Sequence, residues 1–186
     1  MQGNGICNAF GVVLGSCRDI QKRNRMSESP LEPFDTRSAY MEAIDAVLSA
    51  AHKEVCIFDA DLKDLNFESR ERAEAIGTFL SGGRDRSLRV VLHDPEHLSR
   101  SSPRMMELLR RYGHCFSVRQ TPESLRTLAD SFVLADESSG VIRFHADHFR
   151  GKLLVNQPLE IHDWQQRFEN LWLESLPAVS ATHLGL

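Results

Sequence analysis

Two short, nearly apolar runs constrain this chain most: Val55-Cys56-Ile57-Phe58 and Leu88-Arg89-Val90-Val91-Leu92. The first runs into Asp59 and Asp61, and the second into His93-Asp94-Pro95. Apolar runs of this length read as strands buried on both faces, as in a parallel sheet covered by helices. The segments before them can supply the cover. Tyr40, Ala43, Ile44, Val47, Leu48 and Ala51 share one face of a helix that Asp35 or Thr36 can cap. Ala73, Ile76, Phe79 and Leu80 share one face of a second, from about Ser69 to Ser81, which Gly82-Gly83 stops.

Beyond the second strand, Ser102 and Pro103 open a third helix with Met105, Leu108, Leu109 and Tyr112 inward, ended by Gly113. Cys115 to Arg119 reads as a strand, and Thr121 to Leu128 as a short helical or irregular link. Between Asp130 and Asn156, two apolar runs meet across Glu137-Ser138-Ser139-Gly140, which is turn chemistry. A cluster of His145, Asp147, His148 and Arg150 follows, and then a further strand from Lys152 to Asn156. Leu159 to Leu173 closes the chain as a helix with Trp164, Phe168, Leu171 and Trp172 at core spacing. This order predicts an α/β fold: a mixed, mostly parallel sheet flanked by helices, with a C-terminal antiparallel hairpin.

The length of 186 residues, 41% of them hydrophobic, suffices for one core without disulfide or metal staples. We expect a leader over 1–33 without fixed structure, a domain over 34–176 and a flexible tail over 177–186. Leu14-Gly15-Ser16-Cys17 has the look of a lipoprotein processing site, but no positive residue precedes it and the apolar stretch is broken. Met26 is an alternative start. Cys7, Cys17, Cys56 and Cys115 are too scattered for a zinc set and read as reduced thiols, so a cytoplasmic location is expected. A net charge of −4 provides no global basic field, which leaves only a local groove for nucleic acid. No stretch approaches the length of a membrane span.

The order of elements, the two strand sequences and the closing Phe168-Glu-Asn-Leu-Trp172 helix together resemble the phospholipase D-like superfamily over roughly 34–175. That superfamily's motif is His-x-Lys-x4-Asp. The His attacks phosphorus or protonates the leaving group, the Lys neutralises phosphate charge, and the Asp supports the site. With Asp136 at the motif's Asp, Ala129 falls where the His belongs and Ser131 where the Lys belongs. Alanine has no nucleophile, and a hydroxyl does not replace an ammonium on phosphate. The resemblance is closest to single-lobe bacterial domains of unknown function with a degenerate motif. It implies a catalytically inactive binding or dimerisation module, with a homodimer and a phosphate-containing ligand or nucleic acid as partners.

Candidate binding residues are Asp136, Ser131, His93, Asp94, His145 and His148, with no cofactor and no metal expected. The alternative is an atypical phosphodiesterase or nuclease using His145, His148 and Arg150, because arginine also holds phosphate well. In one extended strand His145 and His148 would point to opposite faces, so a shared metal requires a bend, with His93 or Asp94 as a third ligand. Otherwise they are polar loop histidines. Asp59, Asp61 and Asp64 read as solvated turn acids, and Arg100, Arg104, Arg110, Arg111 and Arg119 as a basic sector on and near the third helix.

Overall fold

The two apolar runs are the parallel centre of one sheet in the computed structural model, which describes residues 32–179. β2 (Glu54–Asp59) pairs with β3 (Ser87–Leu92), and β3 with β4 (Phe116–Gln120), all in parallel. On the other side of β2, the chain adds β5 (Ser131–Ala135), β6 (Ser139–His145) and β7 (His148–Leu154) as an antiparallel meander. β1 (Glu32–Phe34) lies outside β7, and β8 (Leu176–Val179) lies outside β4. The order across the sheet is β1-β7-β6-β5-β2-β3-β4-β8.

Alternation along β2 divides the interior into two layers. Val55 and Ile57 face one core under α1 (Arg37–Ala50), α2 (Arg70–Ser81) and α4 (Pro103–Arg111). Cys56 and Phe58 face a second under α5 (Pro158–Glu174), whose Ile161, Phe168 and Leu171 close over Phe132 and Ile142. α1 starts where expected because the Thr36 side chain accepts the Ala39 N–H, and Ser69 caps α2 through the Arg72 N–H in the same way.

The α/β class and the flanking helices stand as expected. The balance of pairings differs: among the described residues five strand pairs are antiparallel, and only β2–β3 and β3–β4 are parallel. A parallel neighbour requires a crossover of a dozen or more residues, and from β4 to β7 the chain has no such helix between its strands. The region before Pro103 is also more helical than the sequence suggested. A short α3 (Glu96–Ser101) precedes α4, and Ser102 makes no side-chain cap. β7 begins at His148 rather than Lys152. β1 starts ahead of the expected domain edge, and β8 continues past Pro177. The readings on 1–31 and 180–186, including Cys7, Cys17 and the Met26 start, lie outside the described residues. Among the described residues, no helix is long and apolar enough to cross a membrane.

Candidate functional site

The C-terminal end of β2, the start of β5 and the end of β6 meet at one end of the sheet, because Phe58 pairs with Phe132 and Ser131 with Arg143. Asp59, Ser131, Arg143 and Tyr40 of α1 are all buried there. Asp59 Oδ1 accepts the N–H of Asp61 at 3.1 Å and of Leu62 at 2.8 Å. Burial outweighs those bonds and raises the carboxyl above its ordinary range. Burial, with Asp59 nearby, likewise pushes the Tyr40 phenol up, against the pull of Arg143.

Arg143, only 2% exposed, donates from each of its three guanidinium nitrogens. Its Nε donates to the His148 carbonyl at 3.0 Å, Nη1 to Asp64 Oδ2 at 2.9 Å, and Nη2 to the Ala146 carbonyl. The guanidinium lies 4.4 Å from the Phe149 ring centroid and 5.3 Å from that of Tyr40. Ser131, 1% exposed, is enclosed beside the Tyr40 hydroxyl, and its Oγ makes no hydrogen bond of ordinary geometry. No ligand can reach that hydroxyl without moving Tyr40, Arg143 or the chain around them.

The β6–β7 turn folds over this end of the sheet. Its Ala146 N–H donates to the Ala129 carbonyl at 2.6 Å. His145 and His148 are not three positions along one strand but cross-strand partners, with a bulge between Arg143 and His145. Their rings therefore share a side, 5.9 Å between centroids, so the chain makes the bend that facing side chains at this spacing require. The Asp147 N–H donates to His145 Nδ1 at 3.2 Å, and its carboxylate lies 3.5 Å from the same nitrogen. Arg150 is exposed and, among the described residues, has no ion-pair partner.

Asp136 sits at the other end of β5, about 16 Å away by strand rise. Its φ of 52° places it in the left-handed region that Asp tolerates in turns. Oδ1 accepts the N–H groups of Lys53 at 2.7 Å and Glu54 at 2.9 Å, and Oδ2 accepts that of His52 at 2.9 Å. Burial alone would raise this carboxyl, but the three bonds prevail and hold it below its usual range. Asp136 is thus a cap on the entrance to β2, at the edge of a groove of about 770 Å³ shared with His162 and Asn170. It does not share a cleft with Ser131 or His145.

The remaining candidates are largely committed to packing. His93 Nε2 is 2.9 Å from the Leu128 carbonyl, which only accepts, so Nε2 carries the proton. Its Nδ1 then accepts from Thr121 Oγ1 at 2.7 Å, leaving no lone pair for a metal in the neutral ring. Asp94 Oδ1 accepts the Glu96 N–H at the start of α3. Among the described residues, no group of three His, Cys, Asp or Glu could hold a metal ion. The basic sector is largely neutralised: Arg100 by Glu96, Arg104 by Glu68 and Arg110 by Glu107. Arg111 lies over Tyr112, and Arg119 lies 4.3 Å over Trp172 while donating to its carbonyl at 2.7 Å. Asp61 pairs with Lys63 and Asp64 with Arg143, so two of the expected solvated acids are in ion pairs. Sequence reasoning missed Tyr40 and Arg143 as site residues. The signal for Arg143 was its place in Val141-Ile-Arg-Phe144, where alternation directs it to the same face as buried Val141.

Residues 36–184 match the family described as Domain of unknown function (DUF7931). The chain belongs to that family. Nothing among curated proteins matches this DUF7931 chain. Solved structures share its architecture, among them the following three. TrmBL2, described as an archaeal chromatin protein with a novel mode of DNA binding, has a TM-score of 0.59 at 12% identity. That likeness covers 86% of this chain and 59% of the other, so this chain spans about three fifths of TrmBL2. NucT from Helicobacter pylori has a TM-score of 0.58 at 12% identity, covering 80% of this chain and 99% of its own. Nuc from Salmonella typhimurium, described as a phospholipase D family member, has a TM-score of 0.53 at 13% identity, covering 80% and 100%. The fold is a phospholipase D-like single lobe.

Proposed function

We propose that this DUF7931 domain binds a phosphate-containing ligand or nucleic acid without cleaving it, its phospholipase D-type motif being degenerate. One observation carries the reading: Ser131, at the position of the motif's Lys, is enclosed beneath Tyr40 and Arg143. Ala129, at the position of the motif's His, offers only a methyl group, and its carbonyl is taken by the Ala146 N–H. Catalysis of phosphoryl transfer requires positioned charge and a nucleophile at the phosphorus, and this position supplies neither. Binding falls to exposed residues of the adjoining β6–β7 hairpin, His145, His148 and Arg150. That TrmBL2, with the same architecture, is described as binding DNA is consistent with such a ligand. The free thiols of Cys56 and Cys115 suit a cytoplasmic location. A homodimer would give the single lobe a second wall for its cleft, and sedimentation equilibrium at tens of micromolar should then return twice the chain mass; a monomer would remove the paired cleft.

The second reading, an atypical phosphodiesterase, is favoured by the two imidazoles lying side by side next to the position of the missing motif His. Incubation with bis-p-nitrophenyl phosphate separates the two readings. The binding reading predicts no release above buffer. Hydrolysis that His148→Ala abolishes would replace it with the enzymatic one.

A further inference from the structure

We propose that the open face of the β6–β7 hairpin is a stacking platform for single-stranded nucleic acid, with Phe144 receiving a base and Arg150 a phosphate. The inference rests on the binding reading above and specifies its ligand. α5 packs over β2, β5 and β6, and the outer part of β6 and β7 lies beyond it. There Phe144 is 52% exposed, whereas the other large exposed hydrophobics, Leu159, Leu173 and Leu176, belong to α5 and its exit. Phe144, Arg150 and Lys152 line one groove of about 610 Å³ together with Pro33 and Asp35. His148, two residues before Arg150, shares its side of β7, and the bulge brings the His145 ring to the same side. From His148 to Lys152 this surface runs about 13 Å.

The charge around the groove selects among polyanions. Arg150 has no carboxylate partner among the described residues, but the Lys152 ammonium is held by Glu160 at 2.6 Å. Asp147 lies beside His145, and Asp35 lines the groove. Duplex binding draws mainly on many cation–phosphate contacts, and this surface offers one or two. A ring exposed beside an imidazole pair and a guanidinium offers what unstacked bases use, since every base has a π-face. The surface therefore fits a single strand bound chiefly by stacking, not a duplex bound by charge.

Fluorescence anisotropy with the full chain tests this, using a labelled ten-nucleotide single-stranded DNA, the same sequence as duplex, and an abasic ten-mer. The single strand should bind at least about tenfold more tightly than either control, and Phe144→Ala should weaken it roughly 5- to 150-fold, the range for loss of one base–aromatic stack. Arg150→Gln should lessen the slope of log affinity against log salt by about 0.7, one phosphate contact on a single strand. Phe144 is half exposed, so an unchanged thermal midpoint confirms that its variant folds. Equal affinity for strand, duplex and abasic chain, or wild-type affinity in folded Phe144→Ala, would overturn the stacking inference and leave the binding reading intact. If no polynucleotide binds at 100 µM protein, on the order of the weak non-specific range, the inference falls; binding of inorganic phosphate would then keep the broader reading alive.

Discussion

At Ser131 the hydroxyl is enclosed without a hydrogen bond of ordinary geometry, and leaving such a group unsatisfied costs about 1–3 kcal/mol. Ser131→Ala should therefore leave the urea midpoint unchanged or raise it, by up to about 1 kcal/mol in unfolding free energy; a clear loss would show that the serine is held by a bond. Asp136 behaves in the opposite way. Its carboxylate takes three backbone N–H groups, and Asp136→Asn, which offers one acceptor oxygen and turns an amide toward the rest, should cost about 1–3 kcal/mol. Because its folded pKa is depressed, that stabilisation is present above the unfolded value of about 3.9 and is lost as pH falls through the folded one. Denaturation at pH 7 and again below pH 3 should show the gap between wild type and variant closing, and a constant gap would place its origin elsewhere. The turn role of Asp136 is legible in its neighbours Glu137 and Ser138. Its partners are not, because they lie 82 to 84 residues away in sequence.

The β6–β7 hairpin is the element that the sequence described least well. The cluster from His145 to Arg150 reads as a polar loop, with a strand only from Lys152. At Gly151 a Cβ would stand 2.0 Å from the Ile142 carbonyl oxygen and 2.5 Å from the Phe34 ring. The glycine thus lets β1, β7 and β6 approach closely, and a strand forms where a loop was expected. Arg143 then fixes the turn through two carbonyls and Asp64. Arg143→Ala should cost about 3 kcal/mol, a loss typical of hydrogen bonds to a buried charge together with the packing between Tyr40 and Phe149. Its signature should be local, with amide hydrogen exchange at Ala146 accelerating more than at Val133 in the sheet centre. Uniform acceleration would mean that Arg143 supports the core rather than the hairpin.

Over the whole molecule, the sequence resolves the central strands and every helix but the short α3, because each has one clear apolar periodicity, as in Tyr40-Ala43-Ile44-Val47 and Val55 to Phe58. It also gives the antiparallel hairpin of β5 and β6 through the turn residues Glu137 to Gly140, but not that β5 returns beside β2 or that β1 and β8 close the edges antiparallel, which makes most pairings antiparallel. The site was legible only in part for a related reason. Motif spacing directs attention to Ala129 and Ser131, but not to Tyr40 and Arg143, which come from elements distant in sequence and enclose Ser131. On the binding reading proposed above, this position is closed as well as chemically empty. Restoring the motif with Ala129→His and Ser131→Lys tests it most directly, by denaturation and by hydrolysis of bis-p-nitrophenyl phosphate. Ala129→His, at a half-buried site, should fold as wild type. Adding the lysine inside the core should cost at least several kcal/mol, and neither variant should hydrolyse the substrate. A double variant that keeps the wild-type midpoint and cleaves would contradict the claim.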